Sequence, residues 1–89
     1  MISIIIVNYY CAEMTWRAVR SVLDEQEEIE IIVVDNSADK SQVRLLKQLL
    51  PAKVNLIIND YNEGFARACN QAYQLSRGEL ILLLNPDAY

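Results

Sequence analysis

The chain has 89 residues, 53% of them hydrophobic and 22% charged, with a formal net charge of −4 and no histidine. This is one small domain, too apolar for disorder and without the basic stripe that a nucleic-acid surface requires. No apolar run reaches the ~18 residues of a membrane span, the first residues carry no basic leader or cleavage site, and the lack of histidine excludes a Cys/His zinc site and a Cys–His nucleophile.

Four apolar runs predict strands, and each ends in a cluster of Asn or Asp. The first covers residues 2–7 and ends in Asn8 and Tyr9. A helix follows over 12–23, with Trp16, Val19, Val22 and Leu23 on one face and Arg17, Arg20 and Asp24 mainly on the other. The acidic stretch from Asp24 to Glu30 reads as a solvated connection. The second strand, 29–34, ends in Asp35, Asn36 and Ser37. The next helix covers 41–50, turning Val43, Leu46, Leu49 and Leu50 inward; Ser37 or Asp39 caps its start and Pro51 stops it. The third strand, 54–58, ends in Asn59 and Asp60. A third helix over 64–76 is expected to bury Phe65, Ala68, Cys69, Ala72 and Leu75, with Gly78 as its C-terminal cap. The fourth strand runs from Leu80 to Leu84 and ends in Asn85, Pro86 and Asp87.

The runs are continuous rather than alternating, as in a parallel sheet covered on both faces. The predicted class is therefore α/β, a Rossmann-like three-layer α/β/α half domain. Right-handed crossovers favour the strand order 3-2-1-4, with the switch point between the first and fourth strands. Ligands of such sheets bind beyond the carboxyl ends of the strands, where all four polar clusters converge. The fourth strand is uncharged and lies at a sheet edge, which invites pairing with another chain.

At this rim Asp87 is the metal candidate, because Pro86 turns the chain sharply out of the sheet and Mg²⁺ or Mn²⁺ needs only one or two carboxylates plus phosphate oxygens and water. Asp35 could accept from a base N–H or a ribose hydroxyl. Tyr9 could stack on a base, or could simply cover the sheet edge. The segment from Asn62 to Ala66 opens a helix whose backbone N–H groups favour an anion, and Gly64 permits close approach. Any one of the aspartates could equally serve as a helix cap or turn residue. With Gly64 and Gly78 the only glycines, a GxGxxG fingerprint and a Gly-rich P-loop are excluded. Cys69 reads as core packing and Cys11, in the loop after the first strand, has no evident role. Two cysteines without a CxxC pair point to a reducing, cytoplasmic setting.

The segments IIIVNYY, IIVVDNSAD, NEGFARACNQAY and GELILLLNPDAY, in this order and spacing, resemble the N-terminal half of a family 2 glycosyltransferase of the GT-A fold, in its bacterial rhamnosyltransferase-like branch. The resemblance implies inverting transfer of a sugar from a UDP- or dTDP-linked donor to an acceptor hydroxyl, assisted by Mg²⁺ or Mn²⁺, in polysaccharide biosynthesis. It implies that Val7, Asn8 and Tyr9 line the nucleotide pocket, that Asp35 contacts the base with Asn36 beside it, and that Asn62, Gly64 and Asn70 form the adjoining loop and helix. Asn85 and Asp87 take the place of the DxD motif, with Asp87 binding metal and diphosphate. Two positions depart from the pattern: Tyr10 stands where VNYN-type members carry Asn, and Asn85 where the DxD form has Asp.

The resemblance further implies that residues 1–89 are the donor-binding part of a longer domain. The general base is expected beyond Tyr89, the chain alone is expected to be inactive, and a full-length parent could associate with membranes through later segments. Two other readings compete. One is a non-catalytic nucleotide-binding or self-associating module that pairs through the strand from Leu80 to Leu84. The other is an unrelated doubly wound domain such as a receiver, against which Asn8 and Tyr9 speak, since a receiver needs an acidic pair there.

Overall fold

The computed structural model describes residues 1–23 and 28–86. Asp24, Glu25, Gln26 and Glu27 of the acidic stretch, and Asp87 at the fourth strand's end, lie outside the described residues. The elements alternate as expected: β1 (Ile2–Asn8), α1 (Ala12–Leu23), β2 (Ile29–Asp35), α2 (Lys40–Leu49), β3 (Asn55–Ile58), α3 (Phe65–Leu75) and β4 (Leu80–Leu83). The sheet is parallel, with the order β3-β2-β1-β4. Two right-handed crossovers lead outward from β1 to β3, and the third returns across the sheet to β4. The reversal puts α3 on the face opposite α1 and α2.

Two apolar layers result. Ile4, Ile6, Ile31 and Val33 pack with Ala18 and Val19 of α1 on one face, whereas Ile5, Ile32 and Val34 pack with Ala68 and Ala72 of α3 on the other. Ile6, Ile32, Val33 and Val34 are fully buried, each worth ~1.5–3 kcal/mol relative to exposure. Asp39 caps α2, its Oδ1 accepting from Ser41 N at 2.7 Å and Gln42 N at 3.3 Å. Leu50, extended ahead of Pro51, ends that helix.

Three expectations need correction. Phe65 and Leu75 are 64% and 60% exposed rather than buried. The buried stripe of α3 is made of two alanines, which let the helix sit close on the sheet and leave the large flanking side chains outside it. Gly78 is not a cap, since Ser76 ends α3. Its role is close approach: a Cβ there would stand 2.6 Å from Ser3 N, and its N–H donates to Ser3 Oγ at 2.8 Å.

Glu30 is the third correction. It belongs to β2 and is buried, 7% exposed, rather than part of a solvated run. Its Oε1 accepts from Ser3 Oγ at 2.8 Å and from Arg77 N at 2.7 Å, and its Oε2 from Arg77 Nε at 3.3 Å. Burial opposes its charge, but these donors outweigh burial and hold its carboxyl below the ordinary value. The α3–β4 connection is thereby latched to β1 and β2.

Candidate functional site

Both central strands run one residue further than their apolar runs, so Asn8 and Asp35 join the ladder as direct partners. Equal register puts their side chains on one face, the face of α1 and α2. Asn8 Nδ2 donates to Asp35 Oδ1 at 3.0 Å, with Ser37 Oγ at 3.3 Å and Gln42 Oε1 at 3.2 Å also in reach, and Asn8 Oδ1 accepts from Thr15 Oγ1 at 2.7 Å. Asp35 Oδ1 also accepts from Ser37 N at 3.1 Å. Asp35 Oδ2 is the one buried side-chain N or O atom without a partner among the described residues.

Val7, Tyr9 and Asn36 take the opposite face. There, between the start of α3 and the carboxyl ends of β1 and β4, lies a cleft of about 600 Å³. Its walls bring together Val7, Tyr9, Asn36, Asn62, Gly64 and Asn85 from the expected set. Apolar surface comes from Ile5, Phe65, Leu83 and Leu84, which sequence patterning had assigned to strands or core. Cys11 and Cys69 line it as well, both half-buried free thiols. Cys69 is thus a cleft residue rather than pure core packing, and burial raises its thiol pKa above the ordinary value.

Three expected residues are not in this wall. Asn8 and Asp35 are fully buried on the other face, and Asn70 is exposed on α3 without reaching the cleft lining.

Gly64 opens α3 at φ 85°, ψ 162°, a region open essentially to glycine alone. A Cβ there would meet nothing within 4 Å, so the constraint is backbone conformation. Asn62 Oδ1 accepts from Gly64 N at 2.9 Å, and Asn36 Nδ2 donates to Gly64 O at 3.1 Å. The first-turn N–H groups of α3 thus begin at the edge of the cleft.

Tyr10 also has a positive φ, 53°, and its N–H donates to Ser37 Oγ at 2.8 Å. Its ring meets Tyr9 edge-on, with centroids 4.9 Å apart. Partial desolvation, followed by the charges of Asp39, Tyr9 and Asp35, raises its hydroxyl pKa above the ordinary value. Asn tolerates the left-handed region better than other non-glycine residues, so the Asn of VNYN-type sequences has a backbone reason at this position. Tyr10→Asn is expected to stabilise the chain by about 1 kcal/mol, read as a higher urea midpoint; an unchanged or lower midpoint would show that the Tyr ring contacts outweigh the strain.

Among the described residues no group of three or more His, Cys, Asp or Glu stands together, and no carboxylate is among those lining the cleft. No described helix is long and apolar enough to cross a membrane.

A four-stranded parallel sheet with its cleft at the switch point defines the class: this is the fold of GT-A glycosyltransferases. A mannosyltransferase from Pyrobaculum calidifontis, solved with GDP-Man and Mn²⁺, matches with a TM-score of 0.76 at 22% identity over 97% of this chain and 27% of its own. TarS from S. aureus, residues 1–349, matches with a TM-score of 0.71, also at 22% identity and with the same coverage. The glycosyl transferase family 2 model matches residues 3–89, and the chain belongs to that family. A UDP-Glc:α-D-GlcNAc-diphosphoundecaprenol β-1,3-glucosyltransferase, WfaP, of Escherichia coli is 31% identical over the whole chain and 36% of its own length. An uncharacterized glycosyltransferase of Nostoc sp. is 36% identical over 97% of the chain and 28% of its own length. The chain therefore spans about a third of the length of the curated relatives it matches.

Proposed function

We propose that this chain is the donor-binding part of an inverting glycosyltransferase, taking a nucleotide-diphosphate sugar for transfer to an acceptor hydroxyl. The observation supporting this is the cleft itself. Six residues from four separate segments, apolar and amide in character, converge at the switch point of the sheet. Tyr9, 55% exposed, offers a ring on which a base can stack. Gly64 lets a diphosphate approach the backbone, and Phe65, Leu83 and Leu84 offer apolar surface beside it. Asp35 Oδ2 suits a base that carries a ring N–H, as uracil and thymine do. The carboxylate is buried on the α1 and α2 face rather than in the cleft wall, so that contact entails rearrangement of the rim around it.

Mg²⁺ or Mn²⁺ fits this donor set only together with the ligand. The cleft supplies neutral amides, so the anionic oxygens would come from Asp87, directly after the cleft residue Pro86, and from the diphosphate. Such an ion would neutralise charge on the departing nucleotide diphosphate. The acceptor-side general base is assigned to the further length that relatives carry, and the 89-residue chain alone is expected not to transfer sugar. A cytoplasmic setting, with membrane association through other segments, belongs to the same reading.

Calorimetric titration of UDP and dTDP, with and without Mn²⁺, tests it. Wild type is expected to bind with metal dependence, and Asp87→Ala to lose that dependence. A folded wild type that binds neither nucleotide would sink the proposal.

A second reading, self-association, is favoured by β4. Leu80, Leu82 and Leu83 are 62%, 49% and 53% exposed on the outermost strand. Sedimentation should show an oligomer that Leu82→Lys weakens; a monomer before and after the change would exclude edge pairing.

A further inference from the structure

Between β3 and α3, residues 59–64 form no helix or strand, yet Asn62 and Gly64 are cleft wall. Asn36 holds this segment. It is 2% exposed, and its Nδ2 donates to Gly64 O at 3.1 Å while its Oδ1 accepts from Glu63 N at 3.4 Å and from Asn59 Nδ2 at 2.8 Å. Asn59 is itself buried, 7% exposed. It exchanges two amide bonds with Gln71 of α3: Asn59 Nδ2 donates to Gln71 Oε1 at 2.9 Å, and Gln71 Nε2 donates to Asn59 Oδ1 at 3.0 Å. Every side-chain polar atom of these three amides is engaged within the chain. Neither Asn59 nor Gln71 lines the cleft.

We infer that Asn59 and Gln71 are positioning residues for the cleft: they fix the Asn36 amide, which in turn fixes the Gly64 turn against which the diphosphate end of a nucleotide rests. The amide chain runs from the middle of α3 through the end of β3 to the end of β2, so it couples the pose of the helix to the shape of the wall. Buried networks of this kind specify one geometry when fully satisfied, and a site loosened at its supporting contacts loses affinity although every contacting group is still present. Asn36, counted from sequence among the binding residues, thereby acts chiefly by holding Gly64. This inference rests on the nucleotide reading above.

The test compares UDP binding in the presence of Mn²⁺ for wild type, Asn59→Ala, Gln71→Ala and Gln71→Glu. Asn59→Ala and Gln71→Ala should each weaken binding about tenfold, the equivalent of roughly one lost hydrogen bond. Gln71→Glu keeps the acceptor for Asn59 Nδ2 but sets a carboxylate oxygen against Asn59 Oδ1, so it should weaken binding at least as much as Gln71→Ala. In the ligand-free protein, amide NMR signals of Glu63, Gly64 and Phe65 should shift in both alanine variants while those of β1 and α1 stay in place. Wild-type affinity in Gln71→Ala with unmoved Gly64 signals would overturn the inference. Should Asn59→Ala fail to fold, Gln71→Ala, at a half-buried position, decides. If wild type binds no UDP, the nucleotide reading fails, and the Gly64 signals alone decide whether the amide chain sets this wall.

Discussion

Glu30→Ala is expected to destabilise the chain by about 3 kcal/mol, because removing one partner of a buried, bonded charge strands the others. Ser3 Oγ and Arg77 N would lose their acceptor behind a β1 residue that is fully buried. The Arg77 guanidinium matters less, as its side chain is 78% exposed, so Arg77→Ala should change stability by under about 1 kcal/mol. Domains of this size have ~5–15 kcal/mol in all, so the Glu30 effect is a large part of the total. The pH dependence follows from the depressed carboxyl. Its contribution is complete above the unfolded value near 4.5 and is lost as pH falls through that value toward the lower folded one. Urea melts at pH 7, 5, 4 and 3 should show stability falling below about pH 4.5 in wild type and a shallower fall in Glu30→Gln. Equal midpoints for wild type and Glu30→Ala at pH 7 would mean that the latch carries no weight.

Asp35→Asn is expected to leave the fold intact and to weaken UDP binding about 100-fold. Asn8 Nδ2 and Ser37 N both donate to Asp35 Oδ1, so an amide at position 35 will set its oxygen there. The NH₂ then takes the place of Oδ2, the atom that the chain leaves without a donor. Stability should hold, since one buried, unpartnered polar atom takes the place of another. A uracil ring N–H would now face a donor, losing a charge-assisted bond worth ~1.5–3 kcal/mol. Cytosine presents an acceptor at the same ring position, so CDP should gain on UDP in the variant. Unchanged UDP affinity, with no shift toward CDP, would remove Asp35 from the base site.

The strands, their order and the side of the rim that carries the polar clusters were legible in the residues. Continuous runs of Ile, Leu and Val allow little besides a covered parallel sheet, and right-handed crossovers leave few ways to connect them. The resemblance carried by the four motif segments led to the family that the comparisons bear out. Helix limits came within a residue or so, because Asp39 and Pro51 punctuate α2 and Gly64 opens α3.

Other features were not legible. Apolarity assigned Phe65 and Leu75 to the core, but the contact of α3 with the sheet is made by Ala68 and Ala72, and Phe65 becomes cleft wall. Glu30 looked like part of a charge run because its donors, Ser3 and the Arg77 backbone, are 27 and 47 residues away in sequence. The one faint sign of the Asn59–Gln71 pair was Gln71 itself, a polar residue three positions after Ala68 on an otherwise apolar stripe. The sequence by itself determined the period and continuity of its apolar runs, and hence the elements, their order and the end of the sheet where the polar clusters gather. Only the tertiary structure decided which face each rim residue takes. Extending β1 and β2 by one residue put Asn8 and Asp35 under α1 and α2 and left Asn36 to α3, since strand side chains alternate and a single step along the ladder moves a group from one face to the other.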